Sequence, residues 1–195
     1  MSTNSLVAIL NKDNSVVSSY VHYDGNTVSV GETLLENYNS EELARELATT
    51  LGYASSLRKT VALSHVDRAN SDEPEIHEDY FEFEEMIRDS SHLEYVYVWD
   101  CHTDKGVVAT WETTKKKVHK GMCFDYEFES HWNGFEDLIP VYVREGNETV
   151  ERYRTMVSEG KVDVKYLDHV RELKKSILKW NRIGITEVAR NYMAA

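Results

Sequence analysis

The sequence predicts an α+β fold: an antiparallel sheet with packed helices, followed by a mainly helical C-terminal region. Three observations carry that expectation. Short runs rich in β-branched and aromatic residues crowd the front of the chain. Amphipathic helical patterns lie between them, and after Asn147 the apolar residues recur only at helical spacing. The chain has 195 residues, 41% hydrophobic and 29% charged, which is enough to bury a core. Its two prolines and nine glycines exclude a collagenous or low-complexity chain.

Leu6–Asn11 and Val16–Tyr23, separated by the turn-forming Lys12-Asp13-Asn14-Ser15, predict a β-hairpin. Asp24-Gly25-Asn26 ends it, and Val30, Leu34, Leu35 and Tyr38 then fall at helical spacing. Ser40 is a natural N-cap for a second helix, with Glu41 and Glu42 facing its dipole. Leu43, Leu47 and Leu51 form that helix's apolar stripe, and Gly52 suits its C-terminal end. Val61–Val66 reads as a strand.

Asp79–Asp89 reads as a helix with Phe83, Met86 and Ile87 inward and its acids outward. Tyr95–Trp99 and Val107–Trp111 predict strands joined through Asp104-Lys105-Gly106, and Cys123–Phe128 alternates like another. In the last third, Val150, Tyr153 and Val157 share one helical face that stops at Gly160. Val164, Leu167, Val170, Leu173, Ile177 and Trp180 form a longer seam. Gly184 separates that seam from a short last helix, Thr186–Tyr192. The seam either packs on the sheet, the simpler solution, or supports a homodimer.

The two cysteines, Cys101 and Cys123, lack the spacing of a zinc site and are too few for a disulfide scaffold. They read as reduced thiols of a cytosolic protein. The first residues carry no basic segment followed by an apolar run, so no signal peptide is expected. No stretch approaches the ~18 apolar residues of a membrane span.

Charge divides the chain. Residues 1–112 hold 21 acids and 7 bases, and residues 113–195 hold 13 acids and 15 bases. The expected organisation is therefore an acidic α+β domain over 1–112 and a mixed-charge, mainly helical region over 113–195. Nine acids between Asp72 and Asp89 face Arg88 alone. Such a run forms a solvated helix face or a carboxylate surface that imitates nucleic-acid phosphates and fits a basic host groove. Glu75, Glu78, Asp79, Glu82 and Glu85 are the candidate binding residues of that surface. With a formal net charge of −12, direct binding to nucleic acid or to an anionic membrane is disfavoured.

No phosphate-binding glycine loop, dinucleotide fingerprint or serine elbow is present, and no cofactor is expected. Two His-x-Asp pairs, His22 with Asp24 and His65 with Asp67, are the candidate metal ligands, since residues two apart on a strand share a face. The competing reading of His22-Tyr23-Asp24-Gly25 is a packed histidine before a chain-closing turn. The C-terminal bases and Ile183–Arg190 faintly suggest the start of a helix-turn-helix, with no recognition helix after it.

Tyr20-Val21-His22-Tyr23-Asp24-Gly25, Val30-Gly31-Glu32-Thr33-Leu34-Leu35-Glu36-Asn37-Tyr38 and Ala54-Ser55-Ser56-Leu57 occur in that order. Phe83-Glu84-Glu85-Met86, Glu94–Asp100 and Trp111 follow them. This succession resembles a family of uncharacterised tailed-bacteriophage proteins with a Tyr-x-His-Trp-Asp-Gly hairpin and a Val-Gly-x-x-Leu-Leu helix. The likeness covers about residues 5–112. Tyr23 stands in place of the family's tryptophan, Asn26-Thr27 in place of Tyr-Pro, and the residues after Lys115 have no counterpart. The resemblance implies a phage source and no catalytic activity.

The expected function is accordingly a phage-encoded acidic binding protein of the host cytoplasm, a counter-defence or host-takeover factor whose partner is a host protein with a basic surface. Two alternatives are a small metal-dependent or His/Asp hydrolase of nucleotides or nucleotide signals, and a virion or accessory structural protein.

Overall fold

The computed structural model describes residues 3–64, 72–90, 92–102, 111–117, 131–132 and 135–194. Its first half is built on β1 (Ser5–Leu10), β2 (Val16–Val21), β3 (Tyr53–Ala54), β4 (Glu75–His77) and β5 (Tyr95–Asp100). The sheet continues through β6 (Trp111–Lys117), β7 (His131–Trp132) and β8 (Glu136–Asp137). The helices are α1 (Glu32–Asn37), entered through a π-helical turn at Thr27–Gly31, then α2 (Glu41–Thr50) and α3 (Tyr80–Asp89). Two longer ones, α4 (Leu138–Ser158) and α5 (Tyr166–Ala194), close the chain. The α+β class and the helical C-terminal region are as the sequence predicts.

The sheet runs in the order β3-β2-β1-β5-β6-β7, with β4 also on β2 and β8 on β6. It is mixed rather than wholly antiparallel. The β1–β2 hairpin and the β5–β6 pair are antiparallel, but β1 pairs with β5 in parallel from Ser5↔Tyr95 to Leu10↔Asp100. That register follows from the connection: the chain passes through α1, α2 and α3 between the two strands, and so returns in the original direction. β2 and β3 are also parallel.

Strand alternation divides the core between the sheet's two faces. On one face Leu6, Ala8, Val16, Val96 and Val98 pack with Phe83 and Ile87 of α3 and with Leu93. Val7, Ile9, Val21 and Tyr97 alternate with these residues and are buried too, and α2 packs on β1 and β2. Tyr97 donates a buried hydrogen bond to the Gly25 carbonyl at 2.8 Å, tying the central strand to the loop before α1.

Local rules explain the shorter elements. Ser40 caps α2, its hydroxyl accepting from the Leu43 amide at 3.3 Å. Ala44, Leu47 and Ala48 are the buried residues of α2, while Leu43 sits at the margin of its stripe. Gly52 follows the helix at φ +62°, the left-handed conformation that ends helices. The Ser19 hydroxyl links the same helix end to β2: it donates to the Ala48 carbonyl and accepts from the Gly52 amide, both at 2.9 Å.

Several expectations are corrected. Val61–Leu63 is a single 3-10 turn rather than a strand, and the expected strand's last two residues lie outside the described residues. So does the segment expected at Cys123–Phe128 and most of that at Val107–Trp111, although Trp111 opens β6. Helix α4 begins at Leu138, well before Asn147, with Pro140 in its first turn where a missing amide hydrogen costs nothing. Helix α5 runs unbroken through Gly184, so the separate last helix and the helix-turn-helix reading both fall. A Cβ on Gly184 would meet Ile139 Cγ2 at 3.0 Å, so that glycine serves close helix packing rather than a break.

The chain forms two compact units, Met1–Asp137 and Leu138–Ala195. The change of unit therefore comes after the change of charge near residue 112. The physical reason is that β6 and β8 pair into the same sheet as β5. In the second unit, where α4 packs with α5, Val150, Val170, Leu173, Ile177 and Trp180 are buried, whereas Val164 lies exposed before α5. Among the described residues no helix is long and apolar enough to cross a membrane.

Candidate interaction surface

The acidic run folds as strand β4, a two-residue link and helix α3. His77 of β4 points inward, buried against the Phe83 ring with centroids 5.2 Å apart, and its Nε2 lies 3.4 Å from the Ser18 hydroxyl. Ile76 points the other way and is 73% exposed. One turn later Tyr80, Phe83 and Ile87 anchor α3 on the sheet, which leaves its opposite side in water.

The five predicted binding acids are all exposed, yet they do different things. Asp79 is the N-cap of α3, its Oδ1 accepting from the Glu82 amide at 2.9 Å. Glu82 reaches back, its Oε2 accepting from the Glu78 amide at 2.7 Å. This is a capping box displaced by one residue. Asp79 and Glu82 thus hold the helix start.

Glu75, Glu78 and Glu85 have no such task. Their carboxylates make no ion pair among the described residues, where the cations of the salt bridges belong to α2, α4, α5 and the turn before α5. Between Glu78 and Glu85 lies Phe81, 63% exposed on the side of α3 opposite Phe83. Three and four residues are one helical turn, so Glu84 and Glu85 neighbour that ring on α3. The sequence reading missed Phe81 and Ile76. Phe81's position outside the Phe83-Met86-Ile87 stripe was the available signal.

The predicted metal ligands are not assembled by anything described. β2 ends at Val21, although His22 and Tyr23 still donate to the Ala54 and Ser55 carbonyls, each at 2.9 Å. Asp24 then turns at φ 59°, so the strand alternation that would place it beside His22 has ended. The His22 ring packs edge-on against Tyr23 at 4.2 Å and lies 3.4 Å from the Tyr20 hydroxyl. His65 and Asp67 lie outside the described residues. Among the described residues no group of three or more His, Cys, Asp and Glu side chains could hold a metal ion.

Cys101 is buried at the end of β5, with Arg45 Nη2 3.7 Å from its sulfur. Burial, reinforced by the nearby Glu41 carboxylate, pushes the thiol up to about 11. A thiol held protonated in this way is a poor nucleophile. Arg45 is engaged elsewhere, donating to Asn11 Oδ1 at 2.5 Å and to Glu41 Oε1 at 2.9 Å. Cys123 lies outside the described residues. No protein-family model, curated protein or solved structure matches the chain.

Proposed function

We propose that this chain is a binding protein that captures a host protein with a basic surface, using the outer face of β4 and α3. One observation carries the reading: Glu75, Glu78 and Glu85 and the Phe81 ring of the same run are all exposed, and no cation among the described residues pairs with these acids. Surface acids that hold a fold together sit near bases or helix ends, as Asp79 and Glu82 do. Acids that do neither, set around an apolar anchor, suit a partner offering lysines, arginines and an apolar pocket. The net charge of the whole chain would speed such an encounter.

The succession of motifs over residues 5–112 supports placing this activity in the cytoplasm of a phage-infected cell, as a counter-defence or host-takeover factor. The test is affinity purification of the tagged protein from infected cells, alongside a Glu75→Lys/Glu78→Lys/Glu85→Lys variant that leaves the capping box intact. The expected result is a partner retained by the wild-type chain, lost with the variant, and released at about 0.5 M salt. A partner held equally by the variant and at high salt overturns the proposal.

A further inference from the structure

The α3 face is not the molecule's only exposed apolar feature between charged residues. On α5, Leu178 and Ile185 are 68% and 64% exposed, seven residues apart on one side of the helix. That side is not the buried one, which carries Val170, Leu173, Ile177 and Trp180. The residues around the stripe are cationic: Arg171, Lys174, Lys175 and Arg182 all fall within one or two turns of Leu178. Arg171 and Lys175 pair with Asp168 and Glu172, contacts made by side chains about seven-tenths exposed and therefore easily exchanged.

We infer that two copies of this chain associate, with the Phe81 face of α3 in one copy seated on the Leu178–Ile185 stripe of α5 in another. The inference rests on reading the α3 face as a docking surface, and it adds a partner present wherever the protein is concentrated. Charge complementarity selects a second copy. The Met1–Asp137 unit carries 26 acids and 11 bases, while the Leu138–Ala195 unit carries 8 acids and 11 bases. Phe81, with Glu84 and Glu85 one turn on, meets Leu178, with Lys174 and Lys175 one turn before it, so apolar faces apolar and acid faces base. Pairing of α5 with α5 would instead bring Arg171, Lys174, Lys175 and Arg182 against their own copies. The contact is therefore heterologous at each site, and copies mask one another's acidic faces.

The mask has a consequence for capture. A copy whose α3 is occupied is closed to a basic partner, so dilution or mild salt frees the surface. Sedimentation or light scattering of the full chain across about a hundredfold range of concentration reads this directly. The expected mass rises above the 22.6 kDa of one chain, and about 0.5 M salt weakens the association at least tenfold. Phe81→Asp, Leu178→Asp and Glu78→Lys/Glu85→Lys each stay at the mass of one chain, with unchanged circular dichroism. A Lys174→Glu/Lys175→Glu chain, also single alone, pairs with the Glu78→Lys/Glu85→Lys chain when the two are mixed.

A single-chain mass at every concentration overturns the inference, and so does association that survives Leu178→Asp and both charge reversals. The two proposals fail separately. Leu178→Asp abolishes self-association and leaves capture of a host partner intact. A chain that captures its partner yet never self-associates sinks only the present inference, and one that self-associates through these faces without a host partner sinks only the former.

Discussion

At the scale of single residues, the acidic run separates into carboxylates that the fold uses and carboxylates that it does not. The Asp79 carboxylate satisfies the Glu82 amide, which the first turn of α3 would otherwise leave without a partner, and the Glu82 carboxylate holds the Glu78 amide just before the helix. Removing either costs about 1 kcal/mol, the usual worth of a capping side chain. Glu78 lends only its backbone amide, and Glu85 lies in the helix body with Glu82 and Asp89 as well as Arg88 one turn away. Asp79→Ala and Glu82→Ala should each lower the urea midpoint, while Glu85→Ala should leave it level or raise it. Equal losses at all three positions would mean that Glu85 has a stabilising partner and that the separation is wrong.

At the scale of elements, much was legible because local rules and tertiary packing agree. The hairpin, the Ser40 cap, the Gly52 terminator and the inward Phe83-Met86-Ile87 stripe all follow from spacing and side-chain chemistry. The misreadings arise where a distant contact decides. Val61–Leu63 carries strand-like residues yet pairs with no strand among the described residues, and folds as a turn. Gly184 looks like a stop in sequence, but the approach of Ile139 gives it a packing role and α5 continues. The parallel β1–β5 register leaves no mark in either strand, because it is set by the path of the intervening chain. The surface was half legible: the acids were visible, but separating caps from free carboxylates required hydrogen bonds.

Glycines at element ends give a sharper test of the same point. Gly52 and Gly160 both adopt left-handed backbone, at φ +62° and +67°. A Cβ on Gly160 would meet nothing within 4 Å, so alanine there costs only the conformational penalty of about 1 kcal/mol. A Cβ on Gly52 would lie 1.8 Å from the Asp72 carbonyl oxygen, a backbone atom that cannot swing aside. Gly52→Ala should therefore lose more than about 2 kcal/mol, and chemical denaturation of the two variants compares them. Similar losses would mean that the chain at Asp72 yields freely to α2, and would remove the constraint that brings it into β4.

At the scale of the molecule, the question is why a sheet-and-helix unit with 26 acids and 11 bases keeps carboxylates that no base of the described chain answers. Like charges repel across a surface, and the repulsion reaches ~30 Å at 0.01 M salt but ~8 Å at 0.15 M. If Glu75, Glu78 and Glu85 contribute to folding, neutralising them costs stability. If they are held for a partner, the fold carries their repulsion, and relief of it should be measurable. A Glu75→Gln/Glu78→Gln/Glu85→Gln chain should unfold at a higher urea concentration than wild type in 0.01 M salt, with the difference shrinking as salt is added. Asp79→Ala/Glu82→Ala should shift the other way at every ionic strength, because a lost cap is a short-range defect that salt does not mend. A triple variant less stable than wild type at low salt would return these carboxylates to the scaffold and leave Phe81 without a charged frame.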